Sequence, residues 1–321
     1  MENPPTIDRF RRLEVDGIES MVEGVRGATV EPTQLTAGQV NGDLTFADLG
    51  GASLSIGRIR GDLQLVGPLS DDSVVLGVVF AHDGPSRVMS RDFCAGQVMA
   101  FPEGIEHTAI YRESVGYLTL SVDRSTLRSL RMEKSDVDLF DSPVAFAGTT
   151  ASMTRLRSIA AHIAEHPFAL QSATNSQVGA AHLKDRIMDA FVEIIDHSGS
   201  GCSAVSRSTL KRRRLVRETE KYARDRLHET LTATMLCEKF GVSRRTLHRA
   251  FAEEMGTSPA QYLRQWRLSQ TRRALAQARP NETSVSEIAH AHGFFELGRF
   301  AQYYRQLFGE KPSETLNLAE R

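Results

Sequence analysis

Arg244, Arg245, His248 and Arg249 recur at the spacing that gathers them on one face of a helix, and Leu247 and Phe251 share the opposite face. Long or planar donors on one exposed helical surface are the chemistry that reads base edges in a major groove and grips phosphates. A second such surface follows. There Leu297, Gly298, Gln302 and Arg305 lie on one side, with Ala301 beside them, and Phe300, Tyr304, Leu307 and Phe308 on the other. This second face is much less basic, and Leu297 on it could meet a thymine methyl. The chain contains no Ser/His/Asp order, Gly-rich phosphate loop or Cys-x-x-Cys. No catalytic residue and no cofactor is expected.

The two surfaces belong to an internal repeat. At an offset of 52, Ala233, Leu236, Cys237 and Gly241 fall on Val285, Ile288, Ala289 and Gly293. At an offset of 53, Leu247, Phe251, Gly256 and Pro259 fall on Phe300, Tyr304, Gly309 and Pro312, so one residue is added in the turn. Each copy reads as a helix-turn-helix. Helix Ala233–Phe240 leads to Gly241 in the turn, Ser243 as N-cap, and a recognition helix over 244–254. The second recognition helix is expected over 296–308. Between the copies, Ala260–Ala276 reads as one helix whose Tyr262, Leu263, Trp266 and Leu275 pack on both. Its 17 residues span roughly 25 Å. With the flanking units, that sets the recognition helices about one DNA turn apart, near 34 Å.

The elements that position this repeat follow from the rest of the chain. Its 321 residues suit two domains, and 40% hydrophobic with 25% charged residues is ordinary globular composition. The net charge of −1 hides an asymmetry. Lys211 to Arg321 carries 21 Lys and Arg against 13 Asp and Glu, whereas residues 1–210 carry 18 against 27. A basic module on an acidic body is the electrostatic form of a nucleic-acid binder joined to something else. The run Lys211-Arg212-Arg213-Arg214 reads equally as a solvated helix start or a phosphate contact. No apolar run approaches the roughly 20 residues of a membrane-spanning helix. The polar start MENPPTIDRF and the scattered Cys94, Cys202 and Cys237 fit a cytoplasmic chain with no membrane partner.

Residues 1–29 read as a flexible start. From about Val30 to Val122, eight short β-prone runs separated by Gly and Asp clusters indicate an antiparallel sandwich or barrel. Helical patterns follow at Arg124–Arg131, Ser152–Glu165 and Ser176–His197. In the last of these Leu183, Ile187, Phe191, Ile194 and Ile195 form one stripe, which suggests a homodimer. Residues 30–198 then form one domain, to which the family resemblance described below gives a sensing and oligomerising role. The Ser- and Gly-rich 199–212 form a linker, and 213–321 are the helix-turn-helix domain. The expected fold class is α+β: β-rich, cupin-like N-terminal domain, helical dimerisation region, all-α C-terminal domain.

Residues Phe240–Leu275 and Val285–Leu316, down to the Gly-x-x-Pro after each recognition helix, resemble the AraC/XylS family of bacterial transcription regulators. The resemblance spans about residues 213–316. It implies two helix-turn-helix units joined by a long helix and bound to double-stranded promoter DNA. By position in that motif, Arg245, His248 and Arg249 meet bases and backbone in the first unit, and Leu297, Gly298 and Gln302 hold the matching places in the second. Many members carry Ser-His at the places of Gly298 and Arg299, and Arg at that of Gln302. The ending LGRFAQYYRQLFGEKPSETL and, more faintly, Ser70–Phe80 look like the branch that includes the ethanolamine-operon regulator. The resemblance implies RNA polymerase and a small-molecule effector as further partners, and activation as the usual sign of regulation.

Residues Gly96–His107 match G-x5-P-x-G-x2-H, the second cupin signature, with Tyr111 where the metal-binding form has Asn. The first signature is missing, since His82 stands alone. A metal site needs about three protein ligands, so His107 reads as a satisfied structural histidine in a cupin-like fold without metal. For a ligand pocket, Arg58, Arg60, His82 and Arg87 are the polar candidates in this half, each equally a surface charge. Two alternatives stand beside a ligand-responsive regulator: a cupin-type metal-dependent enzyme with a DNA-binding tail, and a constitutive DNA binder with an N-terminal dimerisation domain.

Overall fold

The computed structural model describes residues 9–89, 91–93, 97–129, 143–147, 150–197, 207–226, 229 and 231–318. Cys94, Cys202 and the Gly96 that opens the cupin-like motif lie outside them. The chain divides into two compact units. One comprises Met1–Glu31, Val40–Arg60 and Leu65–Ser203, and the other comprises Pro32–Gln39, Gly61–Gln64 and Ala204–Arg321.

The strands are β1 (Phe10–Val15), β2 (Glu31–Gln34), β3 (Asn41–Asp48), β4 (Ala52–Arg60), β5 (Leu63–Pro68), β6 (Val74–His82), β7 (Ser86–Val88), β8 (Arg91–Phe93), β9 (Gln97–Phe101), β10 (Glu106–Tyr111), β11 (Ser114–Val122) and β12 (Val144–Ala147), all in the first unit except β2 after Glu31 and the first two residues of β5. One sheet runs β1-β3-β4-β11-β6-β9-β12 and the other β2-β5-β10-β7-β8. Strand β11 is the spine of the larger sheet. It pairs antiparallel with β4 from Ser114↔Arg60 to Val122↔Ala52, and with β6 on its other side. Buried on both faces, β6 and β11 read as near-continuous apolar runs rather than as clean alternation.

The early residues depart from the flexible start expected of 1–29. Phe10–Val15 pairs with β3, and the 3-10 turn Ile18–Glu23 buries Ile18 and Met21. Those apolar side chains outweigh the cost of ordering a polar-looking segment. Strand β12 and the short helix Pro167–Asn175 add to the elements expected from the sequence.

Four helices complete this unit: α1 (Arg124–Ser129), α2 (Thr150–Glu165), α3 (Pro167–Asn175) and α4 (Gln177–His197). The stripe of α4 that suggested a homodimer is consumed within the unit. Ile187, Phe191, Ile194 and Ile195 pack with Leu156 of α2 and with Leu76, Leu118 and Leu120 of the sheet in one apolar cluster. Each such side chain contributes about 1.5–3 kcal/mol by leaving water. The argument for a second subunit from that stripe therefore falls.

The second unit is helical: α5 (Arg207–Arg224), α6 (Ala233–Phe240), α7 (Arg244–Met255), α8 (Pro259–Gln277), α9 (Val285–Ala291), α10 (Leu297–Phe308) and α11 (Pro312–Leu318). Helix α5 begins at Arg207, inside the stretch read as linker. The repeat is visible in the local chemistry of the helix ends. Thr232 Oγ1 accepts from Met235 N, Ser243 Oγ accepts from Thr246 N, and Ser258 Oγ accepts from Gln261 N ahead of Pro259. Ser284 and Glu287 form a reciprocal capping box. Gly241 sits at φ 62°, a left-handed conformation that only glycine adopts without cost, and so the chain reverses between α6 and α7.

Helices α7 and α10 have the same length at an offset of 53, twelve residues each. The extra residue lies in the longer second turn. Helix α7 is pinned by Leu247, Ala250, Phe251 and Met255, and α10 by Phe300, Tyr304, Leu307 and Phe308, all buried. Phe251 is fully enclosed and stacks at a tilt on Tyr262, 5.5 Å between centroids. Replacing it with Ala should destabilise the helical unit by about 3–5 kcal/mol. Urea denaturation followed by circular dichroism checks this, and a loss below 1 kcal/mol would show that the site can collapse around the cavity.

Candidate functional site

Every residue expected to meet DNA reaches the surface of the helical unit. Arg244, Arg245, His248 and Arg249 are exposed on α7, and Leu297, Gly298, Gln302 and Arg305 on α10. The reason is the helical period. Leu247, Ala250 and Phe251 turn inward, which forces the residues between them outward.

The four α7 groups are not equivalent. Arg244 Nη2 donates to Thr234 Oγ1 at 2.6 Å, which steers its guanidinium back toward α6. Arg249 lies 3.8 Å from Glu253 one turn on, in the open, a pairing worth only a few tenths of a kcal/mol. Arg245 and His248 make no hydrogen bond or ion pair among the described residues. They and Arg249 can therefore take a nucleic-acid partner at little cost. The basic run before α7 is divided. Arg212 forms an ion pair with Glu253 at 2.6 Å and Arg213 lies 3.4 Å from Glu254, while Lys211 and Arg214 stay exposed. Two of the four cations thus brace α5 against α7 instead of facing solvent.

Helix α10 presents a different surface. Leu297 is 39% exposed, and Gly298 has open space where a Cβ would stand. Gln302 and Arg305 are exposed beside them. Its N-cap Glu296 makes no side-chain cap bond and pairs instead with Arg299 at 3.1 Å. Phe295, 65% exposed, stacks near His290 at the entry to the helix. This aromatic was not singled out from sequence, because an apolar residue in a turn gives no periodic signal. The α10 face is less basic than that of α7, with Arg305 beside Leu297, Gly298 and Gln302.

These features define a tandem helix-turn-helix, a class of DNA-binding domain. Residues 236–317 match the family described as "Helix-turn-helix domain". The chain is 39% identical over 95 residues to the XylDLEGF operon transcriptional activator 3 of Pseudomonas putida, covering 30% of this chain and 29% of that protein. It is 36% identical over 97 residues to the XylDLEGF operon transcriptional activator 2 of the same organism, covering 30% and 62%. A solved structure described as a probable AraC family transcriptional regulator from Rhodopseudomonas palustris is 37% identical. It covers 33% of this chain and 97% of its own, with a TM-score of 0.30. The chain thus spans about a third to three fifths of the length of these two curated relatives. Through its C-terminal unit it belongs to the AraC/XylS family of helix-turn-helix proteins.

The first unit holds a second feature. A cavity of about 50 Å³ lies between its two sheets, lined in part by Leu65, Val78, Val88, Met99, Phe101, His107, Tyr111 and Thr119. None of Arg58, Arg60, His82 or Arg87 lines it. His82 Nδ1 lies 3.2 Å from Gly84 O, and Arg87 pairs with Asp92 at 2.9 Å. His107 differs from its expected role. It is 4% exposed and stands edge-on to Phe101 at 5.0 Å, yet its Nδ1 has no hydrogen-bond partner. It is buried but unsatisfied. Among the described residues no three His, Cys, Asp or Glu side chains come together.

Burial lowers the His107 pKa to about 4, because the charged imidazolium would lose its water without gaining a counter-ion. The folded state thus holds the neutral ring, while the unfolded chain binds a proton at the ordinary value of 6.5. Stability from this group is complete above pH 6.5 and is lost as the pH falls toward 4, by up to about 3 kcal/mol. Denaturation at pH 7 and at pH 4.5 should therefore show a smaller loss for His107→Phe than for the wild type. Equal losses would show that the ring is hydrated when folded.

Proposed function

We propose that this chain is a sequence-specific transcription regulator, a ligand-responsive activator that places α7 and α10 in successive major grooves of a promoter. The observation that carries this reading is the exposed face of Arg245, His248 and Arg249 on a capped helix within a repeated helix-turn-helix frame. Double-stranded DNA is the partner whose chemistry fits that face, with phosphates for the charges and guanine edges for a bidentate arginine. The relatives are named as transcriptional activators, which supports the same sign of regulation here. Helix α10 contributes Leu297, Gln302 and Arg305, with Gly298 allowing close backbone approach.

The β-rich unit is the sensor in this reading. An effector in its cavity shifts the population of states that engage DNA. RNA polymerase and a second copy of the chain are the protein partners such a regulator uses, and the cytoplasm is where it would meet them. No helix among the described residues is long and apolar enough to cross a membrane. The chain acts as a regulator rather than an enzyme, since the relatives it matches are regulators and the cationic face is a binding surface.

Chromatin immunoprecipitation in the native host supplies the operator, and binding to that fragment tests the reading. Arg249→Ala should weaken binding by about 1–3 kcal/mol if the guanidinium reads a base, and unchanged affinity at physiological salt would remove it from that role. Affinity should also fall about a hundredfold between 50 and 200 mM salt if four cations each neutralise a phosphate. A flat salt dependence would count against DNA as the partner.

A further inference from the structure

The entry to α10 exposes apolar surface that the fold itself does not use. An apolar side chain just before a helix N-cap ordinarily packs on the fourth helical residue and fixes the entry of the chain. In α10 that fourth residue is Phe300, and Phe294 takes it, with ring centroids 5.0 Å apart. Phe295, immediately before the N-cap Glu296, is left 65% exposed, its ring stacked at 6.1 Å on that of the exposed His290. Leu297 follows at 39% exposure. Among the described residues five large hydrophobic side chains are exposed, and two of them fall within these three positions. Single exposed apolar residues are ordinary, whereas adjacent ones mark a surface that a partner covers.

The repeat shows which partner. At the offset of 53, Ser243 and Glu296 are both N-caps, and Gly256 and Gly309 both C-caps. The same register sets Leu297 on Arg244, Gly298 on Arg245, Ala301 on His248 and Gln302 on Arg249. The apolar surface of the second copy thus stands where the first copy carries its cationic one, and a duplex met by the one helix in its groove meets the other in the same way.

The chemistry offered to that duplex differs between the copies. Cationic donors match guanine edges and phosphates. An apolar surface matches the thymine 5-methyl, the apolar group of a major-groove edge. Gly298 leaves open space where a Cβ would stand, so a base edge can come close to the helix. Gln302, one turn on, carries the amide that pairs with adenine N6 and N7, and so an A·T pair answers both the amide and the apolar residues. The arginines of this helix are placed for other work. Arg299 is held to Glu296 at 3.1 Å, and Arg305 lies in the last turn, away from the N-terminal residues that reach base edges.

We propose that α10 selects A·T pairs by their thymine methyls, and that Phe295 and Leu297 determine this specificity. Phe295 lies outside the set of residues expected to meet DNA. The proposal rests on the promoter-binding reading given above and adds to it what the second helix reads: methyl-bearing pairs under α10, beside the guanines and phosphates that suit α7.

The full chain and the immunoprecipitated operator fragment test it. Replacing thymine by uracil removes one methyl and keeps the pairing. Scanned one base at a time, one or two thymines should each cost about fourfold in affinity when replaced, the worth of one buried methyl group. Phe295→Ala and Leu297→Ala should bind the thymine fragment about as weakly as the wild type binds the uracil one. Each should also lose the difference between the two bases at one of those positions. Phe295→Leu keeps an apolar contact and should keep the difference. Both side chains are exposed, so an unchanged thermal midpoint is expected in every variant.

Equal affinity for every uracil fragment would overturn the proposal, as would a thymine preference undiminished in either alanine variant. In both of those cases, tighter binding to the operator than to a scrambled duplex would leave the promoter-binding reading standing. A fragment bound no better than the scrambled duplex would overturn both.

Discussion

Both halves of the DNA-binding unit depend on the burial of one helix. Helix α8 is enclosed on most of its circumference, with Tyr262, Leu263, Trp266, Leu268 and Leu275 inside, and it packs against α7, α9, α10 and α11. It is not amphipathic in the usual sense, because Gln265, Ser269, Thr271 and Arg272 are buried too. Ser269, Thr271 and Arg272 are compensated within the unit, whereas Gln265 Oε1 has no hydrogen-bond partner among the described residues. Ser269 Oγ donates to Gln265 O at 2.9 Å and Thr271 Oγ1 donates to Arg267 O at 2.8 Å. Arg272 holds Glu310 at 2.6 Å and lies over the Phe308 ring. Tyr262 Oη reaches Glu220 Oε1 at 2.5 Å. A helix so enclosed cannot slide or rotate without breaking several of these contacts together, and so it sets where α7 and α10 stand.

That constraint explains why the recognition helices can afford exposed and chemically demanding faces. Their stability comes from the inward stripe and the caps, not from the outward residues. The outward residues are then free to differ between the copies, as they do. The first copy is cationic and the second is largely apolar with a glycine. The two copies therefore share a frame while differing in the surface they present.

The two sites in the chain are opposites in their electrostatics. The α7 face is wet and charged, and its groups keep their water until a partner replaces it. The cavity of the β-rich unit has no charged residue in its lining, and His107 and Thr119, which border it, each have a buried polar atom without a partner.

The sequence by itself determined the helix-turn-helix repeat, its boundaries within a residue or so, and the exposure of all eight expected contact residues. Those properties are local. A cap, a left-handed glycine and an i, i+4 stripe each lie within one or two turns, so the chain declares them without reference to anything distant. The strands of the β-rich half were legible for the same reason, from short apolar runs between turn residues. The tertiary structure decided what depends on residues far apart in the chain. It ordered Phe10–Val15 by pairing it with β3, and it consumed the α4 stripe against the sheet. It also left His107 neutral and unpartnered at a cavity whose walls come from β5, β6, β7, β9, β10 and β11. Whether a buried histidine is satisfied depends on which atoms from other strands arrive beside it, and no spacing within its own strand records that.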